Sequence, residues 1–501
     1  MDKESDMTQT EPDPQPVPAP EPKQRKRTFL LGAVLVLAAT ATFAIAALLV
    51  TIFQHQQESA QTWVKVVELD ETTVDPSIWG QNFPSQYQAY LRTAEFTESA
   101  HSGVLVPHDV AGDPRSEVPS SKLEEDPRLV RMWDGYPFSV DYRHARGHAF
   151  MTIDQQFTLR NIEFKQPGTC LNCHASTTAL MSELGNGDVQ AGFEAMGTVP
   201  LKELIEQVEH PVACIDCHDP STMALRISRP AFKAGIAELK ASEGIENYDV
   251  NRDATRQEMR SYVCAQCHVE YYFAGENKVL TFPWDKGLDV DNIFDYYMDI
   301  GHVDWTHAGT GAKVLKAQHP EFELWSQGVH AANGVSCTDC HMGYVREGAS
   351  KVSNHQVTTP MADVNATCGT CHSTGDGVLE ARVTTIQDRF IESRDRALDA
   401  LVALIDDLTA AQTDGTPEAS LELARTYQNK ASFYIDIVYS ENSYGFHAPD
   451  YTQRILSQAL DAARKGQLAL QGATAAELEP SEVTRNNLEQ SLRAGGSHSG
   501  G

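Results

Sequence analysis

Residues 170–174 read Cys170-Leu-Asn-Cys173-His174, and the same pattern returns as Cys214-Ile-Asp-Cys217-His218, Cys264-Ala-Gln-Cys267-His268, Cys337-Thr-Asp-Cys340-His341 and Cys368-Gly-Thr-Cys371-His372. These five motifs contain all 10 cysteines of the 501-residue chain, so none is left over for a disulfide. Two thiols three positions apart on a helical turn reach the two vinyl groups of one porphyrin. The residue after them then projects its imidazole onto the iron. Cys-x-x-Cys-His is accordingly the attachment pattern of c-type haem. A zinc site of four cysteines is the ordinary competitor, but it has no need of a histidine after every second cysteine. Five covalent haems between residues 170 and 372 are therefore expected.

A segment of this length holding five macrocycles implies a mainly α multihaem cytochrome c fold. The haems form its core, wrapped by short helices and loops. Turn signals at Gly185-Asn186-Gly187-Asp188, Asn333-Gly334 and Gly375-Asp376-Gly377 agree with that. Five irons have ten axial positions, of which the motif histidines fill five. Of the 18 histidines, thirteen lie outside the motifs. A low-spin electron-transfer haem needs a sixth ligand, whereas a catalytic haem keeps that position open or holds water there. If five of the thirteen bind iron the protein is a wire for electrons; if four do, it is an enzyme. Spacing alone leaves both open.

Forty basic against 69 acidic side chains give a formal charge of −29, which argues against nucleic acid as a partner, and 41% hydrophobic residues exclude wholesale disorder. The N-terminus is a Pro-rich tail ending in the basic run Lys23-Gln-Arg-Lys-Arg27, followed by the apolar stretch Phe29–Phe53. As a helix rising about 1.5 Å per residue it spans roughly 37 Å, enough to cross a bilayer core of about 30 Å. It is longer than the apolar core of a cleavable signal peptide, the alternative reading, so an uncleaved anchor is expected. The basic cluster then stays in the cytoplasm and the remainder lies on the far side of the membrane.

Toward the C-terminus, apolar residues at Val383, Ile386, Phe390, Ala397, Leu401, Leu404 and Leu408 recur with helical spacing. Thr416-Pro417 reads as the N-cap and first residue of a second helix to about Ser440, and Pro449–Gly472 as a third. The expected organisation is a cytoplasmic tail over 1–27, a transmembrane anchor over 28–53 and a linker over 54–80. A pentahaem catalytic domain follows over 81–375, then long C-terminal helices over 376–475 and a disordered tail over 476–501.

Beyond the motifs, three segments stand out: Cys267-His268-Val-Glu270-Tyr271-Tyr272-Phe, Lys316-Ala-Gln318-His319-Pro320 and Gly445-Phe-His447-Ala-Pro449. With the order and spacing of the motifs, they resemble pentahaem cytochrome c nitrite reductase, the ammonia-forming enzyme of nitrite ammonification, over roughly residues 80–475. The resemblance implies a catalytic trio of Arg160, Tyr271 and His319, and distal haem ligands at His148, His330, His355 and His447. That makes four distal ligands, which leaves the haem of Cys170 and Cys173 open. It also implies a calcium ion held by the Glu270 carboxylate, the Gln318 side chain and the Tyr271 and Lys316 carbonyls, all oxygen donors as a hard cation requires.

Most members of the family have Lys where this chain has His174, so it resembles the subgroup with a histidine-ligated active-site haem. The implied reaction is six-electron reduction of nitrite to ammonium. Electrons would come from a quinol-oxidising multihaem cytochrome in the membrane or a soluble multihaem donor. The implied assembly is a homodimer through the long helix, anchored in the cytoplasmic (inner) membrane by a single pass with its catalytic domain on the periplasmic side. Alternatives from other classes are a pure electron-transfer cytochrome whose fifth haem gains a distal histidine, for instance His144 or His302, and a related enzyme reducing hydroxylamine or sulfite.

Overall fold

The computed structural model describes residues 22–60, 65–348, 350–375 and 377–479. The expected tails therefore lie largely outside the described residues, at 1–21 and 480–501. The chain divides into two compact units, Met1–Val66 and Val67–Gly501. In the first, helix Pro22–Ala60 contains the apolar run Phe29–Ile52, long and apolar enough to cross a membrane.

The second unit consists mainly of short helices and loops up to Thr370, followed by three long helices, Val378–Ala411, Glu418–Ser440 and Pro449–Leu470. Its only sheets among the described residues are four two-stranded hairpins, all antiparallel. Near its start, helix Pro76–Asn82 buries Trp79, whose indole N–H donates to the Thr73 carbonyl at 2.7 Å.

The long helices pack against one another and bury the spaced apolar positions Val383, Phe390, Ala397, Leu401, Leu404 and Leu408. The C-terminal half of the middle helix is buried on every side: Ala431, Phe433, Ile435, Ile437 and Val438 are fully enclosed, whereas Glu422 and Thr426 in its first half face solvent. It begins one residue later than the sequence suggests. The Asp414 carboxylate accepts the Thr416 N–H (3.0 Å) and hydroxyl (2.6 Å), which ties Thr416 into a preceding turn and leaves Pro417 as the cap.

The motif region also builds a side-chain core beside its haem-attachment turns. Leu171, Met181, Phe232, Ile236 and Trp284 have essentially no exposed surface, and the Phe232 and Trp284 rings meet edge to face at 5.8 Å. A second cluster, around Leu129, Trp133 and Ile293, joins the long helices to the loops that carry the site.

Candidate active site

Each motif lies on one helical turn, and local chemistry explains why. In two of them the residue before the second cysteine is an aspartate that caps its own turn. Asp216 accepts the Ala213 N–H at 2.7 Å, and Asp339 accepts the Ser336 N–H at 2.8 Å and its hydroxyl at 2.7 Å. Both are then neutralised by arginines, Asp216 by the buried Arg229 at 3.0 Å and Asp339 by Arg260. Arg229 also donates to the Ala175 carbonyl at 2.8 Å, fixing the second motif to the chain that leaves the first.

The five motif imidazoles each face a second imidazole. His268 faces His148 with ring centres 6.2 Å apart, and three pairs lie at 6.3 Å: His218 with His355, His372 with His330, and His341 with His447. The fifth pair is His174 with His319, at 6.4 Å. An iron shared by two imidazoles requires bonds of about 2.0 Å and about 1.1 Å from each nitrogen to its ring centre, hence about 6.2 Å between centres. The residues thus fit haems held between paired histidines. His144 and His302 take no part: the first is paired with Glu125 at 2.6 Å, and the second lies against the Tyr272 and Tyr297 rings at 4.9 and 5.3 Å.

Backbone details place the distal rings. A Cβ on Gly147, just before His148, would lie 1.8 Å from the Thr93 carbonyl oxygen, and one on Gly328, two residues before His330, would lie 2.0 Å from the His447 carbonyl. Only glycine permits these approaches. Outer partners tune several rings. The Nδ1 atoms of His218 and His341 bond the Met223 and Thr358 carbonyls at 3.0 and 2.9 Å. Burial favours the neutral ring of His268, but the Glu321 carboxylate 3.7 Å away outweighs it and raises the pKa to about 9. His174 differs, since its buried Nδ1 has no partner among the described residues.

The attachment edges do not follow chain order. The thiols of Cys173 and Cys267 act on each other electrostatically, as do those of Cys264 and Cys337. Cys217 neighbours Cys267, and Cys340 neighbours Cys368. The third motif is therefore a junction joined to the first, second and fourth, with the fifth beyond the fourth at the surface, where Cys371 is exposed.

Around His174, the structure brings the predicted trio together. Asp141 builds the turn that carries Arg160: its carboxylate accepts the Thr158 hydroxyl (2.7 Å) and the Leu159 N–H (3.0 Å), and its carbonyl accepts the Arg160 guanidinium (2.9 Å). Arg160 acts electrostatically on Tyr271, His174 and His319. Tyr271 directly precedes hairpin strand Tyr272–Ala274, paired with Val279–Thr281, and its phenol lies among Cys170, Cys173 and Tyr136. Burial pushes His174 down to about 3 and His319 to about 4, so both rings are neutral at pH 7. Sequence reasoning missed Gln155, whose Nε2 lies 3.3 Å from His174 Nε2 while its Oε1 accepts the Asn161 amide at 2.7 Å. No motif marks it; only the fold brings it there.

The segment carrying His319 is fixed from beneath. Asp436 accepts the Ala317 N–H at 2.9 Å and pairs with the buried Lys316 ammonium at 2.9 Å, which also reaches the Ser440 hydroxyl at 3.2 Å. One residue on, the Gln318 N–H donates to Glu270 at 2.6 Å, and the Gln318 amide reaches the Lys316 carbonyl at 3.3 Å. Glu270 is fully buried and receives the Tyr297 hydroxyl at 2.9 Å, with no cationic side chain paired to it among the described residues. Burial holds its carboxyl well above the usual range. A cation there would restore its charge. No three His, Cys, Asp or Glu side chains cluster as a metal site among the described residues. The donor set is instead one carboxylate with amide and main-chain oxygens, which suits calcium.

Repeated motif turns with paired imidazoles, on a fold of short helices capped by three long ones, define a multihaem c-type cytochrome. The chain belongs to the cytochrome c552 family, which it matches over residues 75–494. It is 35% identical over 412 residues to cytochrome c-552 of Bacteroides fragilis, covering 81% of this chain and 78% of that one. It is 37% identical over 396 residues to cytochrome c-552 of Parabacteroides distasonis, covering 77% and 74%. Among solved structures it resembles cytochrome c nitrite reductase from Desulfovibrio desulfuricans, a catalytic subunit with two calcium sites. The TM-score is 0.71 at 29% identity, with 83% of this chain and 90% of that chain covered.

Proposed function

We propose that this protein reduces nitrite to ammonium at a haem held by Cys170, Cys173 and His174, fed by four bis-histidine haems on the remaining motifs. The observation that carries the reading is the convergence of Arg160, Tyr271 and His319 on one motif turn, in a chain similar to a cytochrome c nitrite reductase. The conversion takes six electrons and eight protons, and the bound haem supplies the iron that takes up nitrite and passes on electrons. Arg160 offsets the charge of the anion: burial lowers its pKa, but from a value so high that it stays cationic. Tyr271, held protonated by burial, donates a hydrogen bond. His319 is neutral and donates through its single N–H rather than as a cation. Against a chain charge of −29, Arg160 and a calcium ion at Glu270, Gln318 and the Tyr271 and Lys316 carbonyls provide the local positive field that an anion needs.

His174 in place of lysine puts the protein in the histidine-ligated subgroup. The reading extends to a homodimer through the long helix and to single-pass anchoring by the N-terminal helix, with the catalytic domain on the periplasmic side. A membrane quinol-oxidising cytochrome or a soluble multihaem carrier supplies the electrons. Haem-loaded protein supplied with a reduced dye should convert nitrite to ammonium. Arg160→Ala should lower that rate by about 10²–10³-fold at unchanged haem content; undiminished turnover would remove Arg160 from its role.

One observation favours a second reading, a pure electron carrier: the His174–His319 separation of 6.4 Å is close to that of the four bis-histidine pairs.

A further inference from the structure

The turn between the middle and last long helices carries a buried carboxylate that neither haem attachment nor the nitrite chemistry uses. We propose that Glu441 is a positioning residue for the haem on Cys337 and Cys340: it orients the distal ligand His447 and holds down that haem's reduction potential. The role is independent of the nitrite reading and applies equally to a pure electron carrier.

Three features of the turn support it. First, the Glu441 side chain is completely enclosed, and its carboxylate lies 2.7 Å from His447 Nδ1. That contact leaves Nε2 for an iron shared with His341, whose ring centre is 6.3 Å away. The same carboxylate accepts the Ser443 N–H at 3.0 Å and the Ser443 hydroxyl at 2.7 Å, while the hydroxyl oxygen accepts the His447 main-chain N–H at 3.0 Å. Carboxylate, serine and imidazole thus form one closed unit. No lysine or arginine lies within ion-pair distance of Glu441 among the described residues, so its charge is left to act on the ring.

Second, the turn is held from outside and adopts an unfavourable backbone. Gln387 on the first long helix donates to the Ser443 carbonyl at 3.1 Å, and Asn442 donates to Glu321 at 2.8 Å. Tyr444 (φ 54°) and Gly445 (φ 80°) are both left-handed, a setting that a side chain as bulky as tyrosine disfavours. Such strain persists where the surroundings impose a geometry, here the delivery of His447 to Glu441 and His341. Third, the other rings have partners of a different kind. Nδ1 of His218, His341 and His355 bonds a neutral main-chain carbonyl, at 3.0, 2.9 and 3.0 Å. Glu321 stands beside His268, but farther off, at 3.7 Å.

A carboxylate that draws on the Nδ1 proton makes the imidazole a stronger donor through Nε2. Stronger donation favours ferric over ferrous iron, and a buried negative charge opposes the added electron. The couple is one electron, taken up by the iron from the multihaem carrier that feeds the chain or from dithionite in an assay, while the Nδ1 proton stays on the ring. A haem held in this way fills late and empties early. It passes electrons between the third and fifth motifs instead of retaining them.

Redox titration of haem-loaded protein with dithionite, followed by visible absorption and electron paramagnetic resonance, tests this. Glu441→Gln keeps the side chain's size and an oxygen for the ring but removes the charge. It should make one haem about tenfold easier to reduce, about 59 mV for one electron, and move the others less, at unchanged haem content and low-spin signals. Glu441→Asp restores the charge and should bring the potential back toward wild type. Ser443→Ala deprives the carboxylate of a donor, leaves more of its charge for His447 and should shift the same haem the opposite way, downward. A role in folding alone predicts neither the opposite signs nor the rescue. Unmoved potentials in Glu441→Gln, a rise shared equally by all haems, or a rise in Ser443→Ala would each overturn the assignment. Should Glu441→Gln fail to load its haems, Ser443→Ala decides by itself: a lower potential upholds the assignment, and an unmoved or higher one ends it. None of these readouts depends on ammonium formation, so failure of the nitrite reading leaves them as they stand.

Discussion

The ion pair between Lys316 and Asp436 joins the middle long helix to the segment that presents His319, so its removal tests whether the bundle supports the site. Both side chains are essentially inaccessible, and the Lys316 ammonium otherwise meets the Ala317 carbonyl, the Ser440 hydroxyl and the Trp133 and Phe138 rings, the last two at 5.0 and 4.6 Å. Asp436→Leu strands that ammonium, and breaking a buried pair from one side costs about 3–5 kcal/mol. An unfolding entropy of about 2.1 cal/mol/K per residue over roughly 400 residues turns this into a fall in Tm of about 4–6 °C. Lys316→Met combined with Asp436→Leu removes both charges and should recover most of the loss. What remains is the Ala317 N–H left without its acceptor, about 1–3 kcal/mol. Thermal denaturation of the haem-loaded protein reads all three states, and nitrite turnover should fall in both variants because the loop has lost its anchor. A single variant as stable as wild type, or a double variant weaker than the single, would refute the reasoning.

Calcium should raise Tm in the wild type, by about 2.7 kcal/mol of stabilisation at a hundredfold excess over Kd, and Glu270→Gln should flatten the response; a response that survives the substitution removes Glu270 from the site. Gly147→Ala should push the backbone off the Thr93 carbonyl, carry His148 away from His268 and expose one high-spin haem, at a cost of about 1–3 kcal/mol; unaltered spectra would show that the close approach is dispensable. Burial raises the pKa of Asp113, but the hydrogen bonds and charge of Arg115 outweigh it and hold the carboxyl at about 2, against 3.8 unperturbed. The unfolded chain therefore takes up a proton before the folded one does. The stabilisation is complete above pH 4 and disappears as pH falls toward 2. Asp113→Asn should make denaturant midpoints less steep over that interval, and an unchanged slope would dismiss the pair as a source of acid sensitivity.

The haem-attachment turns were legible because their chemistry is local: two thiols, one imidazole and, at Asp216 and Asp339, even the cap lie within a few residues of sequence. The long helices were legible for the same reason, since Val383 to Leu408 spell out one buried face. What spacing could not say is which histidine meets which. His148 reaches His268 across 120 positions, and His447 reaches His341 from the far side of the bundle; only resemblance singled out these rings, because a lone histidine carries no signal of its partner. The junction at the third motif was likewise hidden, as chain order places the first motif next to the second whereas the fold sets Cys173 against Cys267. Asp436 reads in sequence as one more acidic residue on an amphipathic helix, and only the fold reveals the ammonium beneath it.

That junction has a bearing on how charge is shared out. With the haems proposed for each motif in place, the closeness of Cys267 to Cys173 and Cys217, and of Cys264 to Cys337, would let three routes meet behind the His148–His268 pair. A linear relay would hand over one electron per arrival and stall whenever its entry was idle. A fork lets carriers accumulate on two arms and discharge through a single exit, so a demand for several electrons in quick succession can be met from stock, with timing set by the crossroads rather than by the donor outside.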